Sequence, residues 1–544
     1  MRTLYNLYDE YVRELDIVLW EMGMENGVHV NDPARLALLS EMTSIIRAQI
    51  KDAQPFVPSE LYPLKRYKRE PKTKWEMREV KVPNAEVKTC SKCGAQHVTQ
   101  GGHTGRKGGR GDVPLNECYK APLILMPGVD IEYDVVLPFN PGSDEQLKAY
   151  AEKFHHRLGR NWKTGEATLD AKQLQKFIDK YGEQHPIYAH AHAIRKVRKA
   201  RGYAKAWVPD EDGLIYGQFK HVPETFRLSQ AEHNFMNVSH RGNAPYAKEL
   251  RRLLIAPPGY SLVEADSSSI EAVFSGKLMG SASYMAMAKG GVHAAWALSK
   301  LGLEVTPLNI KRAKSPDDYE EFWKGMGYEA ETIQILYETK KRTVHGVSYG
   351  MGAKLLHESY PEYFPVTMVL DPKTNRLKRC PLCTAQAEID DFYSFVPDLQ
   401  AWHKDTQDRA FKQGYLQSPW GFRNYYYSVY TWDSKLGKYR LGPDAKAVIA
   451  FQPQHANAMF QRENLKLIHS TIRKMGKQDT WKMGANGHVH DSNGLRCPSE
   501  DVDKVAVMLA EIMNRPIKQF EGLQIGVSVK AGKNWQDVRT ILTV

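Results

Sequence analysis

Two short segments, far apart in the chain, each offer a carboxylate in a setting suited to a metal ion. The first, Leu262-Val-Glu-Ala-Asp266-Ser-Ser-Ser-Ile-Glu271, is an apolar strand pattern that ends in an acid and passes into small polar residues. The second, Gly487-His-Val-His-Asp491-Ser-Asn-Gly494, places an acid at the tip of a predicted hairpin. Between them runs Lys341-Arg-Thr-Val-His345-Gly-Val-Ser-Tyr349-Gly350. Its Lys341, His345 and Tyr349 fall at i, i+4 and i+8, along one helix face. Two carboxylates brought together can hold two Mg²⁺ ions that clamp the attacking and leaving oxygens of an in-line phosphoryl transfer. One aspartate at a strand end is commonly structural. The ordered trio in a basic chain points to chemistry on phosphates instead.

The elements that must position these residues alternate between helices and short strands. Leu4, Leu7, Tyr11, Leu15, Val18 and Met22 recur at helical spacing over residues 3–26, and Glu25-Asn-Gly27 ends the run. Asn31-Asp32-Pro33 is a helix start, an Asx cap followed by proline in the first turn, and the helix it opens runs to about Lys51. Residues 54–134 are rich in Pro, Lys, Gly and isolated Cys and His, and read as an irregular insertion with a Gly/Arg run at Gly105–Gly111. Helical pattern resumes at Asn140-Pro-Gly-Ser-Asp144 and includes the cationic stretch Ala193–Arg201, suited to phosphate contact or to a solvated face. Strand signals follow at Gly213–Phe219 and Ser261–Ala265. Helices dominate 269–360 and 385–415, and a last one near Gln454–Lys474 precedes the hairpin at Asp491. Helices packed on a small antiparallel sheet make an α+β plan.

At 544 residues the chain is long enough for about two to four domains with real cores. A formal charge of +12 favours a polyanionic partner such as nucleic acid. No run approaches the length of apolar residues that a membrane span requires, and Met1-Arg-Thr-Leu-Tyr-Asn lacks the apolar centre of a signal peptide. Six cysteines in so long a chain argue for a reducing compartment, the cytoplasm, and for metal binding over a disulfide framework. Cys90-Ser-Lys-Cys93 and Cys118, with His97 or His103, could form a structural zinc site. Cys380-Pro-Leu-Cys383 could be free thiols, a second metal site or a distant half of the first, and Cys497 reads as a buried thiol.

These segments resemble the family A DNA polymerases, typified by the large fragment of bacterial polymerase I and by many phage replicative enzymes. Phe139-Asn-Pro-Gly-Ser-Asp-Glu-Gln-Leu147 resembles the family's Asn-Pro-x-Ser-x-x-Gln-Leu helix start. Thr225-Phe-Arg227-Leu-Ser with Asn234-Phe-Met-Asn237 is similar to its Thr-Gly-Arg-Leu…Asn-Leu-Gln-Asn segment. Leu15–Asp32 looks like its opening helix and turn, and Arg251–Gly259 leads into the first carboxylate motif as in the family. Shared order over most of the chain makes the resemblance specific.

The resemblance implies a right-hand fold with an antiparallel palm sheet, helical fingers and a helical thumb. Residues 1–53 would lead into the thumb, with the insertion at 54–134 and the thumb at 135–212. The palm would take 213–275 and 441–544, and the fingers 276–440. Asp266 and Asp491 would hold two Mg²⁺ ions, with the backbone carbonyl of Ser267 completing the set. Glu271 matches a steric gate against ribose, Lys341 would pair with the α-phosphate, and Tyr349 would stack near the nascent base pair. His345 stands where the family has Phe or Tyr, and His293 resembles its β-phosphate histidine. Tyr337 replaces an arginine, whose γ-phosphate contact would pass to Lys340 or Arg342 or be lost. Ser492 replaces the glutamate that usually follows the second aspartate. Arg227, Asn237, Gln454 and His490 look like residues touching the primer–template minor groove, and Lys446 like a template-side cation. Minor-groove acceptors are common to all correct pairs, so such contacts sense geometry without reading sequence.

The expected partners are therefore primer–template DNA and dNTPs. No exonuclease-like segment precedes the polymerase-like helices, so proofreading in cis is not expected, and a separate exonuclease or processivity subunit could supply it. The insertion suggests a phage or mobile-element source, hence the cytoplasm of a bacterial host. Two rivals stay open: a polymerase tolerant of ribonucleotides or of an RNA template, and a non-catalytic DNA-binding replisome subunit.

Overall fold

The computed structural model describes residues 7–69, 87–89, 96–98, 131–160, 164–221, 224–238, 244–371 and 376–544. The chain divides into two compact units, one formed by Met1–Leu39 with Gly202–Val544 and the other by Ser40–Arg201.

The first unit is built on a five-stranded antiparallel sheet: β1 (Tyr260–Ser267), β2 (His488–Val489), β3 (Ser492–Pro498), β4 (Val527–Gly532) and β5 (Val538–Thr543), in spatial order β2–β3–β1–β4–β5. Along β1 burial alternates, so that Val263 and Ala265 enter the core while Leu262, Glu264 and Asp266 share the other face. The buried face meets Leu465 and Ile468 of one helix and Val505 and Leu509 of another. Fully burying one such side chain is worth about 1.5–3 kcal/mol, enough to fix the strand register.

The helices of this unit include α1 (Ile270–Met279), α2 (Ala330–Val347), α3 (Ala445–Lys474) and α4 (Val502–Met513). A second core joins Ile270 and Phe274 of α1, Val344 and Val347 of α2, and Met459 and Phe460 of α3. Helix α1, which follows the first carboxylate, is thus seated on the long helix α3, while α2, which carries the cations, packs chiefly on the helix Val292–Lys300. Among the described residues no helix is long and apolar enough to cross a membrane.

The other unit has its own core of Phe139, Leu147, Tyr150, Leu174, Phe177 and Tyr188. Its helix Asp144–Lys153 starts where expected, with the Ser143 hydroxyl accepting from the Gln146 N–H at 3.5 Å. The helix Asp32–Ala53 likewise opens on Asn31, whose side chain accepts from the Ala34 N–H at 3.2 Å.

Three features differ from the sequence reading. Three short hairpins, Thr367–Asp371 with Arg376–Cys380, Tyr415–Gln417 with Arg423–Tyr425, and Tyr430–Asp433 with Lys438–Leu441, occupy the stretches between the expected helices, where the sequence reading assigned no element. Alternation over four or five residues is too short to stand out against longer helical periods. Helix α3 begins at Ala445, well before Gln454, and carries Pro453 inside it. Cys380 and Cys383 are joined as a disulfide, an outcome not among the three alternatives for that pair. Cys497 is a buried thiol as expected, and burial raises its pKa to about 12. The side chains of Cys90, Cys93, His97, His103 and Cys118, the candidate zinc ligands, lie outside the described residues.

Candidate active site

The sheet brings the two acidic segments side by side. Asp266 on β1 pairs with Ser492 on β3, the residue after Asp491. The next step along the ladder is a hydrogen bond from the Ser267 N–H to the Asp491 carbonyl, 3.0 Å. Asp491 sits in the two-residue turn between β2 and β3, as its motif predicted. Ser492, in the place of the family's usual glutamate, is buried and donates its hydroxyl to the Val489 carbonyl at 3.0 Å, closing that turn. The carboxylates are therefore placed by main-chain hydrogen bonds.

Three non-glycine residues with left-handed backbone stand next to site residues: Phe226 (φ 60°) before Arg227, Ser269 (φ 50°) two before Glu271, and His490 (φ 56°) before Asp491. Such conformations cost on the order of 1–3 kcal/mol each and persist only where their surroundings enforce them. For Phe226 the enforcement is visible. Its carbonyl accepts from Arg462 Nε at 2.8 Å, and its ring packs on Phe422 with centroids 4.4 Å apart.

Glu271, in the first turn of α1, is the hub of the polar contacts. Arg227 forms an ion pair with it, the Tyr349 hydroxyl donates to it, and Asn457 Nδ2 approaches it at 3.4 Å. Asn457 also donates to the Asp491 carboxylate at 2.6 Å, so one amide spans Glu271 and Asp491. Gln461 reaches the Ser267 hydroxyl and the Asp491 carbonyl, both at 3.3 Å. Burial raises the Tyr349 pKa to about 12, so its hydroxyl keeps its proton and remains a donor. Gln454 also hydrogen-bonds this tyrosine.

Glu271 and Asp491 line two neighbouring cavities. One, of about 300 Å³, is lined also by Arg227, Asn457 and His490. The other, of about 160 Å³, is lined also by His293, His345 and Tyr349. Asn237 is exposed in a short turn, and Lys446 lines a third cavity with Gly350; neither borders the first two.

Helix α2 holds its cations differently. It ends at Val347, so Lys341 and His345 share a helix while Tyr349 lies in the following turn, which closes on Gly350 at φ +72°. Lys341 is paired with Glu338 at 2.8 Å, and Arg342 binds the other oxygen of the same carboxylate at 2.8 Å. Lys340 is buried, paired with Glu388 at 2.7 Å and seated over the Trp296 ring at 4.0 Å. Neither suggested replacement for the missing arginine points freely at the site. Tyr337, in that arginine's place, hydrogen-bonds His293 at 2.9 Å. Lys314 reaches the start of the helix that carries His293, its Nζ donating to the Gly290 carbonyl at 3.1 Å, while Lys341 Nζ lies 5.7 Å from the centre of the Tyr337 ring.

Sequence reading missed Asn457, Gln461, Glu338 and Lys314. The first two carried a signal, for they lie three and seven residues after Gln454 and so on its helix face. For metals, the donor set is two carboxylates and main-chain carbonyls. Hard oxygen ligands of this kind suit Mg²⁺, which binds through one or two carboxylates and completes its shell from water and substrate phosphates. Among the described residues there is no cluster of three or more His, Cys, Asp or Glu.

Comparisons with known proteins agree with this geometry. The model of DNA polymerase family A matches residues 131–309, which include Arg227, Asp266, Glu271 and His293. The thermostable DNA polymerase I of Thermus aquaticus is 24% identical over 416 residues, covering 73% of this chain and 42% of that protein. DNA polymerase I of Chloroflexus aurantiacus is 22% identical over 416 residues, covering 74% and 38%, and the DNA polymerase of Escherichia phage T5 is 21% identical over 324 residues, covering 56% and 34%. The chain spans less than half the length of these relatives. The solved polymerase domain of Pol1 from M. smegmatis, in complex with DNA primer–template and dNTP, superposes with a TM-score of 0.64 at 18% identity over 97% of this chain and 71% of its own. That likeness gives the fold, a right hand with an antiparallel palm sheet and helical fingers and thumb. The carboxylate sheet, the cationic helix and the match over residues 131–309 together make the chain similar to DNA polymerase family A.

Proposed function

We propose that this protein is a template-directed DNA polymerase that adds dNTPs to a primer 3′ end. The observation that carries the reading is the register of β1 against β3, which sets Asp266 beside the Asp491 turn by backbone pairing alone. Asp266, Asp491 and the Ser267 carbonyl would hold Mg²⁺, which when bound makes the primer hydroxyl a better nucleophile and neutralises the triphosphate. Lys341 leaves Glu338 to pair with the α-phosphate, and His293, oriented by Tyr337, faces the β-phosphate. Lys314 supplies, from outside α2, the cation that Tyr337 does not; Lys314→Ala raises the KM for dNTP severalfold with kcat little changed. Glu271, fixed by Tyr349 and Asn457, crowds the 2′ position of the sugar. Arg227 exchanges Glu271 for minor-groove acceptors of the primer end when DNA enters, while Gln454, His490 and Asn237 lie along the same duplex and Lys446 on the template side. The thumb is 135–212, the palm 213–275 with 441–544, and the fingers 276–440.

The T5 relative supports a phage source, and a Cys/His zinc site in the segment 54–134 is read by metal analysis of the purified protein. The test of the main reading is primer extension with Mg²⁺, comparing dNTPs with rNTPs and using Asp491→Ala as control. Extension with dNTPs alone, lost in the variant, is the expected result. Equal use of rNTPs would move the assignment to a sugar-tolerant enzyme, and salt-sensitive DNA binding without extension to a binding subunit.

A further inference from the structure

Away from the carboxylates, the chain between the helix Pro397–Gln413 and α3 carries rings that no core uses. In the hairpin Tyr430–Asp433 with Lys438–Leu441, Trp432 stands directly opposite Tyr439, their centroids 5.2 Å apart and edge to face. Both side chains are more than half exposed, 59% and 58%. Upstream, Tyr427 is 91% exposed although its backbone is pinned. The N–H groups of Tyr427 and Ser428 donate to the Asp444 carboxylate at 3.0 and 2.8 Å. Tyr439 also packs on the half-exposed Phe411 with centroids 5.8 Å apart, so Phe411, Trp432 and Tyr439 join into a contiguous exposed patch, the kind of surface that marks a binding site.

Cations surround them. Arg423, Lys435, Lys438 and Arg440 are all exposed; of the two acids in the stretch, Asp433 is engaged by Arg440 at 2.8 Å and Asp444 by the Tyr427 and Ser428 N–H groups. The strip also leads toward the active site. Asp444, which pins Tyr427, immediately precedes α3, and Leu441, Lys446 and Gly350 line a common cavity of about 670 Å³, Gly350 being the residue after Tyr349.

We propose that Tyr427, Trp432 and Tyr439 form a stacking platform for single-stranded nucleic acid, flanked by cations that take its phosphates. Every base has a face that stacks on an aromatic ring, so the platform is indifferent to sequence, and the lysines make its affinity depend on salt. Rings flanked by the exposed Arg423, Lys435 and Lys438 fit a polyanionic strand better than a protein partner, whose interfaces are depleted of lysine. Only the naming of that strand, the uncopied template ahead of the primer end, rests on the polymerase reading.

The test titrates the full chain into labelled primer–template duplexes, blunt or with a 5′ overhang of about eight nucleotides, by fluorescence anisotropy without Mg²⁺. The overhang tightens binding by the unaltered protein about tenfold or more, and Tyr427→Ala with Trp432→Ala removes at least about fivefold of that gain while blunt-duplex affinity holds. Tyr427→Ala alone, at a nearly fully exposed position, gives a smaller loss of the same sign. Lys435→Glu with Lys438→Glu lowers the salt slope of overhang binding by about 1.4, the value for two lost single-strand phosphate contacts. An overhang gain that is absent, or unchanged by these substitutions, overturns the proposal. Self-association that disappears in the aromatic variant, with no overhang gain, overturns it in favour of a protein contact. Templated extension measured in parallel separates the two readings: its absence beside an intact overhang gain sinks the polymerase assignment and leaves the platform.

Discussion

The sheet that carries Asp266 and Asp491 and the helix that carries Lys341 hold their charged groups by different means. On the sheet, position comes from main-chain pairing of β1 with β3 and from amides of α3 that reach both the Asp491 carboxylate and its carbonyl. On α2, position comes from side-chain ion pairs with Glu338 and Glu388 on flexible stems. A group fixed by backbone cannot relocate without breaking a strand ladder. Lys340, buried with Glu388, is fixed in place, whereas Lys341 is held to Glu338 only through its flexible stem and can exchange that carboxylate for another anion without breaking any backbone pairing. Under the proposed function, the contrast suits the sheet to holding and the helix to capturing a substrate that arrives charged.

The largest effect expected is on the holding side. Asp266→Ala leaves the fold intact, because its side chain is not on the core face of β1, and lowers single-turnover extension by about 10³-fold or more, the loss of several kcal/mol of charge stabilisation. Unchanged melting with abolished extension is the signature. Equal residual rates in Asp266→Ala and the parent would end this division of labour between sheet and helix. On the capturing side, Lys341→Ala costs about 10²-fold, felt in kcat as well as KM because the charge on the phosphate grows toward the transition state. Glu338→Gln changes dNTP affinity severalfold at most, as expected of a partner that gives the lysine up. If Glu338→Gln were as damaging as Lys341→Ala, the pair would be a fixed element of the site.

The same contrast explains what the sequence disclosed. Asp266, Glu271 and Asp491 are legible because strand alternation and short-range spacing put each in a recognisable segment, and backbone pairing then does what the segments imply. Lys341 and His345 are legible as a helix face. Spacing assigns Tyr349 to that face too, yet the helix stops two residues earlier and the turn at Gly350 carries the hydroxyl to Glu271. Lys314 and Glu338 cannot be found from spacing, since one comes from a different helix and the other is an acid among many on an amphipathic surface. The helices of the site and the sheet that anchors it are readable; the hairpins between residues 367 and 441 are not, being shorter than the periods that reveal an element.

Asn457 lies between the two regimes, a side chain on a rigid helix that touches both Asp491 and Glu271. A hydrogen bond to a charged group is worth about 1.5–3 kcal/mol, so Asn457→Ala lowers extension by about tenfold to a hundredfold and raises rNTP use relative to dNTP. The second readout is the discriminating one. A merely structural asparagine would slow both nucleotides alike and leave their ratio where it was.

The smallest effect tests whether the rigidity of α3 belongs to its core and not to its polar face. His455, one residue after Gln454, is fully buried among Phe226, Phe422 and Phe451, and neither ring nitrogen has a hydrogen-bond partner. Burial depresses its pKa from 6.5 to about 3, so the folded protein keeps the ring neutral while the unfolded chain protonates it below pH 6.5. Its contribution to stability is therefore present above pH 6.5 and lost as the pH falls toward 3, by up to about 2 kcal/mol at pH 5. His403 and His488, each with a pKa lowered to about 4 by burial, add losses of the same sign. His455→Phe keeps the ring packing, removes two unpartnered nitrogens and abolishes one of these proton sites. The drop in Tm between pH 7.5 and pH 5 should thus shrink by a few degrees without vanishing, while extension at pH 7.5 stays near that of the parent. An unchanged drop would mean that the ring finds water in solution, and that the helix face carrying Asn457 and Gln461 is seated more loosely than its neighbours suggest.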